Sequence, residues 1–164
     1  MGNDTSDSAP AGDDQHPALD RLSDHDYQRL AELRFGLRTF LHWSAERAKS
    51  AGLTPAQHQL LLAVRGSVQD RGPRLGDIAD ILLIRHHSAV ELVDRAQEAG
   101  LIERERDPDL HSVVRVGLTA RGAAMLASLS EQHLRELAQL APTMRGLWAA
   151  IDEAEPAIGT PRAR

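Results

Sequence analysis

Between residues 85 and 116 the chain reads RHHSAVELVDRAQEAGLIERERDPDLHSVVRV, and the period of its apolar residues changes partway through. Ala89, Leu92, Val93, Ala96 and Ala99 fall in one sector of a helical wheel, with Gly100 as the stop. "LIERERD" and "SVVRVGL" then alternate as two strands do, separated by "PDLH", where Pro108 is acceptable because it sits in the tip. A short helix followed at once by a small hairpin constrains the fold more than any other feature. Neither element can cover its own apolar side, so helices elsewhere in the chain must supply the rest of the core.

Those helices are signalled on both sides. Just upstream, Leu75, Ile78, Ala79 and Leu82 recur at i, i+3, i+4 and i+7, and a turn at Leu83 and Ile84 leads into the next helix. "LTPAQHQLLLAVRG" carries Thr54 as N-cap, Pro55 at the first helical position and Gln57 to complete a capping box, which predicts a helix from 55 to about 65. "SVQDRGPR" is a loop, with a short strand expected around Arg74 and Leu75. From Tyr27 to Lys49 a long amphipathic helix shows Leu30, Leu33, Leu37, Phe40 and Leu41 on one stripe and ends near Gly52. Beyond the hairpin, Thr119 caps another long helix striped by Leu126, Leu129, His133, Leu137 and Leu140. Pro142 is expected to break it, and a final helix carries Met144, Leu147, Trp148 and Ile151. The predicted fold class is mainly α with a small β wing: a winged helix-turn-helix between long N- and C-terminal helices, with no internal repeat.

At 164 residues the chain has room for one main domain with a real core. It contains no cysteine, which excludes disulfides, thiolate metal sites and thiol redox sensing. No apolar run approaches a transmembrane length, and the N-terminus lacks the basic start and apolar stretch of a signal peptide, so a cytoplasmic protein without membrane contact is expected. The formal charge of −5 is unevenly placed: residues 1–26 hold seven aspartates against Arg21, a net of −6, which leaves +1 for the rest. Such a tail cannot bury enough apolar area to offset the entropy of ordering it, so residues 1–24 are expected to be disordered. Residues 155–164 are expected to be a flexible end, with the folded domain spanning 25–154.

Helix, tight turn, helix and hairpin in that order describe an element whose second helix enters the DNA major groove while the hairpin lies along the backbone or minor groove. Arg85 and His86 stand at the N-terminal end of that helix, and His87, Val90, Glu91 and Asp94 point away from its buried face. Arg85 can fork onto a guanine, His86 and His87 can donate to purine acceptors, Val90 can meet a thymine methyl, and Glu91 can accept from cytosine. The expected DNA-contacting set is Arg74, Arg85, His86, His87, Ser88, Val90, Glu91, Arg95, Arg106, His111 and Arg115. Glu91 and Arg95 are also spaced for an ordinary i,i+4 surface pair, and Arg106, His111 and Arg115 have the alternative of solvated strand faces.

In "SAVELVDRAQEAGLIERERDPD" followed by "VGLTARG", the sequence resembles the MarR family of bacterial transcription regulators, over about Leu30 to Ile151. The resemblance implies a homodimer that reads a near-palindromic operator, with a DNA-binding lobe at 53–122 and dimerisation helices at 27–50 and 123–154. It implies a ligand-responsive repressor, released from DNA by a small aromatic or anionic effector bound between the dimer helices and the lobe. Arg34, Arg38, His42, Trp43 and His58 are the candidate pocket residues, with core packing for the aromatic ring and an exposed face for the two arginines as the plainer alternative. Where the family's wing tip carries an acidic residue followed by arginines, this chain has Leu110, His111 and Ser112, and the turn before the recognition helix lacks glycine.

No cofactor, metal or catalytic residue is expected. A Gly-x-Ser-x-Gly elbow, a phosphate loop and a His-Glu-x-x-His motif are all missing from the sequence. "DPDLHSVVRVGL" begins like a calcium loop but has no glycine at its sixth place and Leu118 where the bidentate glutamate belongs. His86 and His87 are about 100° apart on a helix and cannot readily share one metal, so a metal-sensing regulator would need His58, His133 or a carboxylate as well. A helical interaction module that does not bind DNA is the other alternative. From Leu53 to Gly122 nine arginines face ten carboxylates, a formal −1, so attraction of this lobe to phosphate depends on His58, His86, His87 and His111 to an unusual degree.

Overall fold

The structure, a computed structural model, describes residues 23–158 other than 70 and 111, without the side chains at 143, 144, 147 and 150–158. The acidic tail, the last six residues, His111 and the apolar positions Met144, Leu147 and Ile151 therefore lie outside what is described. Helix α1 spans Asp24–Ser50 and α2 Pro55–Arg65; α3 (Leu75–Leu82) and α4 (His86–Glu98) follow, then strands β1 (Ile102–Arg106) and β2 (Val114–Leu118) and the long α5 (Ala120–Ile158). Among the described residues no helix is long and apolar enough to cross a membrane.

Local chemistry accounts for most of these limits. Thr54 and Gln57 close the expected capping box at 3.1 and 2.9 Å. Helix α1 starts ahead of Tyr27 because Ser23 and Asp26 make a second box: the Ser23 N–H donates to Asp26 Oδ2 at 2.9 Å, and Ser23 Oγ accepts from the Asp26 N–H at 3.3 Å. Thr119 Oγ1 accepts from the Gly122 N–H at 3.0 Å and so caps α5. A Cβ at Gly122 would collide with the Leu101 carbonyl, so only glycine lets α5 begin directly against the end of the α4 to β1 turn.

The core lies between α2, α3, α4 and the root of the hairpin. Leu60 and Leu61 of α2, Ile78 of α3, Ala89, Val93 and Ala96 of α4, Leu101, Ile102, Val116 and Leu129 are all buried. The face read from the α4 wheel is thus the buried one. β1 and β2 pair antiparallel with Arg104 opposite Val116 and Glu105 opposite Arg115. The short strand expected at Arg74 and Leu75 is reduced to one bridge, Arg74 to Arg115, with the Val116 N–H donating to the Pro73 carbonyl at 3.0 Å. Leu75 already belongs to α3.

The expected break at Pro142 does not occur; α5 continues through it to Ile158, where a separate final helix was expected. A proline removes one bond to the carbonyl four residues back. Ala138 and Pro142 are both exposed, so water can hydrate the released carbonyl, and the helix tolerates the loss.

Candidate nucleic-acid interface

Helices α3 and α4 are joined by a turn in which Leu83 adopts φ 54° and ψ 40° and is 92% exposed. The left-handed conformation usually supplied by glycine is here taken by leucine, and the Ile84 N–H donating to the Ala79 carbonyl at 3.0 Å closes the turn. Arg85 is the N-cap of α4; its backbone is extended and its side chain makes no capping bond. Arg85, His86 and His87 are exposed on the first turn, Ser88 and Val90 are half-buried, and Glu91 is exposed. The first turn holds no acidic residue, so its N–H groups and the Arg85 guanidinium give this helix end a positive field.

Farther along α4 the charges are paired. Arg95 Nη1 lies 3.7 Å from Glu91 Oε2, the i,i+4 pair that the spacing allowed. Asp94, half-buried, is held by Arg104 of β1, whose Nη2 is 2.6 Å from Asp94 Oδ1 and whose Nη1 donates to Gln97 Oε1 at 3.2 Å. The expectations for the hairpin separate in the same way. Arg106 is exposed at the end of β1, with no ion-pair partner among the described residues. Arg115 turns inward: its Nε donates to Asp107 Oδ2 at 2.8 Å, its Nη1 to the Gly72 carbonyl at 3.1 Å and to Gln69 Oε1. Arg74 is exposed, and its backbone N–H donates to Asp77 Oδ2 at 2.8 Å.

These inward bonds fix the wing against the loop that precedes α3. Asp107 is 3% exposed and accepts from Arg115 and from the Asp109 and Leu110 N–H groups. The Arg115 hydrogen bond, opposed by desolvation and assisted by those two N–H groups, holds its carboxyl below the ordinary range. The Asp77 carboxyl is lowered too, first by the Arg74 N–H and then by Gln69. Gly72, at φ 81°, sits so close to the Val116 carbonyl that any Cβ there would clash, which lets the loop lie flat on β2.

Of the five candidate pocket residues, the structure brings two together. His58 is buried on α2, its ring 4.6 Å from that of His133 on α5, and Trp43 of α1 meets the same His133 ring edge-on at 4.9 Å. The Leu129 carbonyl, 2.7 Å from His133 Nδ1, requires a proton on that nitrogen, and Nε2 of the same ring lies 2.7 Å from the Ser44 hydroxyl. Burial, and secondarily His133, push the His58 imidazole below its ordinary value. Arg34, Arg38 and His42 lie on the exposed side of α1 instead. Phe40, Ser44 and His133 complete the cluster; Phe40 and His133 are stripe positions in the sequence, whereas nothing in the sequence pattern singles out Ser44. Among the described residues no group of three or more metal-ligating side chains comes together.

Residues 51–109 match the sequence model of the MarR family. No curated protein matches the chain in sequence. Solved structures match its fold: AbsC, a MarR family transcriptional regulator from Streptomyces coelicolor, is 18% identical, with 82% of this chain and 93% of that one covered at a TM-score of 0.66. A MarR family protein from Bacillus stearothermophilus is 20% identical over 80% and 97% of the two chains at 0.64. A MarR point variant from E. coli complexed with operator DNA is 19% identical over 74% and 91% at 0.57. The fold is that of the MarR winged helix structures.

Proposed function

We propose that the chain is a sequence-specific DNA-binding transcriptional regulator that acts as a homodimer on a near-palindromic operator, as a repressor released by a small aromatic or anionic effector. The observation that carries this reading is the first turn of α4. Arg85, His86 and His87 are exposed on a helix whose opposite face is sealed by Ala89, Leu92, Val93 and Ala96, and Arg106 of the wing is exposed beside the lobe. Nothing in the packing of α4 requires those three basic residues. An accessible arginine and imidazoles at the start of a helix that fits the major groove are the groups that base-edge recognition uses.

The dimer is supported by apolar residues that a single chain leaves in water. Leu30, Leu37 and Leu41 of α1 and Leu134 and Leu137 of α5 are between 43% and 67% exposed, and they recur along two helices that pack together beside the lobe. Exposed leucines that recur along two neighbouring helices mark a candidate association surface. The effector reading is supported by the junction of α1, α2 and α5, where the Trp43, His133 and His58 rings pack against one another and the Arg47 guanidinium lies 5.6 Å from the Trp43 ring.

Selection of bound fragments from the source organism's DNA, followed by mobility shift with specific and nonspecific competitor, tests the reading. One recurrent inverted repeat, bound in preference to bulk DNA, is the expected result. Enrichment of no sequence over bulk would instead favour the interaction module that does not bind DNA.

A further inference from the structure

Arg104 is not among the residues expected to matter for DNA, yet among the described residues its side chain makes the only ionic link between the wing and α4. One guanidinium reaches Asp94 at 2.6 Å and Gln97 at 3.2 Å, two side chains one helical turn apart, so the fork grips α4 along its axis. Its Cα is paired with that of Val116, which is fully buried, and strand alternation puts Arg104 on the same core-facing side of the hairpin as Ile102 and Val116. The Arg104 Nε is buried with no hydrogen-bond partner among the described residues. Burying a donor without a partner opposes folding, so stability alone gives a poor reason for the arrangement.

We infer that Arg104 is a positioning residue for DNA binding: by holding Asp94 and Gln97 it fixes the wing relative to the recognition helix and neutralises a carboxylate that would otherwise stand bare on the groove side of α4. The inference rests on the DNA-binding reading above. Asp94 remains 48% exposed, on the same side of α4 as His87 and Glu91, so a bare charge there would face phosphate. Removal of Arg104 has two consequences: the wing loses its tie to α4, and Asp94 begins to repel DNA. Removal of Asp94 has only the first.

This asymmetry gives the test. Affinity for the selected operator, its salt dependence and a hydroxyl-radical footprint are measured for the parent, Arg104→Ala, Arg104→Lys, Asp94→Ala and the double variant Arg104→Ala with Asp94→Ala. Arg104→Ala is expected to weaken binding about tenfold, and the double variant to recover part of that loss. Arg104→Lys should restore the charge but not the two-point grip, giving near-parental salt dependence with weakened protection under the wing. In Arg104→Ala and Asp94→Ala alike, protection under the wing should fade while protection under α4 persists. Independent, multiplicative effects of the two alanines, or wing protection unchanged in both, would overturn the inference. Should Arg104→Ala fail to fold, Asp94→Ala on its exposed helix face decides by the footprint alone. A parent that prefers no duplex sinks the DNA reading and this inference with it, whereas a parent that binds normally with uncoupled variants sinks only the inference.

Discussion

Arg115 Nε lies 2.8 Å from Asp107 Oδ2, and the two side chains are only 14% and 4% exposed. A pair withdrawn this far from water depends on both members, because removing one leaves the other charged and desolvated. Arg115 thereby locks the end of the wing to Asp107, Gln69 and the Gly72 carbonyl, with Arg71 on the outer side of Asp107 at 3.5 Å.

Acid should release this lock. The Asp107 carboxyl is lowered in the folded protein, so its stabilising contribution is present above its unfolded value and is lost as pH falls through the carboxylate range. Asp107→Asn is expected to lower Tm by several degrees at pH 7, and the gap between variant and parent should narrow as pH drops below about 4. Thermal melts at pH 7, 5 and 3.5 check this; a gap that stays constant across them would show that the ionised carboxylate is not what matters.

Arg85 and Arg106 should fail differently. Arg85 stands at the start of α4, the end proposed above to read base edges, so Arg85→Ala should relax the preferred sequence, with a loss of about 1–3 kcal/mol in discrimination at one position of each half-site. Arg106 sits on the wing, and Arg106→Ala should weaken all duplexes similarly and reduce the slope of log K against log salt by about 0.9 per site. Binding isotherms on the operator and on single-base variants at several salt concentrations separate the two. Unchanged affinity and preference in Arg85→Ala would remove α4 from the role assigned to it.

Dimerisation is tested at Leu37 and Leu134, which are 46% and 67% exposed in the lone chain. Because neither contributes to the lobe core, Leu37→Glu and Leu134→Glu should leave the lobe folded while placing charge on the association face. The parent is expected to be a dimer at micromolar concentration by light scattering, and the double variant a monomer with parental helix content. The parental dimer should bind half-sites whose centres are about 10 base pairs apart, since a two-fold protein offers two recognition helices to one face of DNA. A monomeric parent would refute the arrangement.

How much of this was legible beforehand depended on whether the deciding interaction was local. The Thr54 capping box, the buried face of α4 and the two strand segments follow from neighbours within a few residues, and they stand as read. Pro142 misled because the local rule ignores solvent: at an exposed position a missing helical bond is hydrated and the helix persists. The hairpin arginines were indistinguishable as sequence, since alternation says which residues share a face but not which face meets the lobe. Arg104, Arg106 and Arg115 therefore have three different fates: tied to α4, exposed at the strand end, and buried against Asp107. His133 read as a stripe position because its partners His58, Trp43 and Ser44 come from two other helices.

The histidines give the last prediction, with two effects of opposite sign. Histidine in general changes charge near pH 6.5, and an adjacent phosphate favours its charged form, so a His placed on the DNA backbone should take up a proton on binding. His86 and His87 are exposed on the first turn of α4, and His111 stands in sequence at the wing tip. Operator affinity should rise from pH 8 to pH 6, with a salt slope steeper by up to about 0.9 for each histidine charged on a phosphate. His58 acts the other way on the fold. Its imidazole is lowered, so the unfolded chain binds the proton more tightly, and stability held above pH 6.5 is lost as pH falls toward the folded value. Tm should therefore drop between pH 7 and pH 5 in the parent, and drop less in His58→Phe, which keeps a ring against His133. Affinity across pH for the parent, His87→Gln and His111→Gln, beside melts of the parent and His58→Phe, separates the two. A pH response of affinity identical in the first three would clear both histidines, and equal Tm slopes in the last two would clear His58.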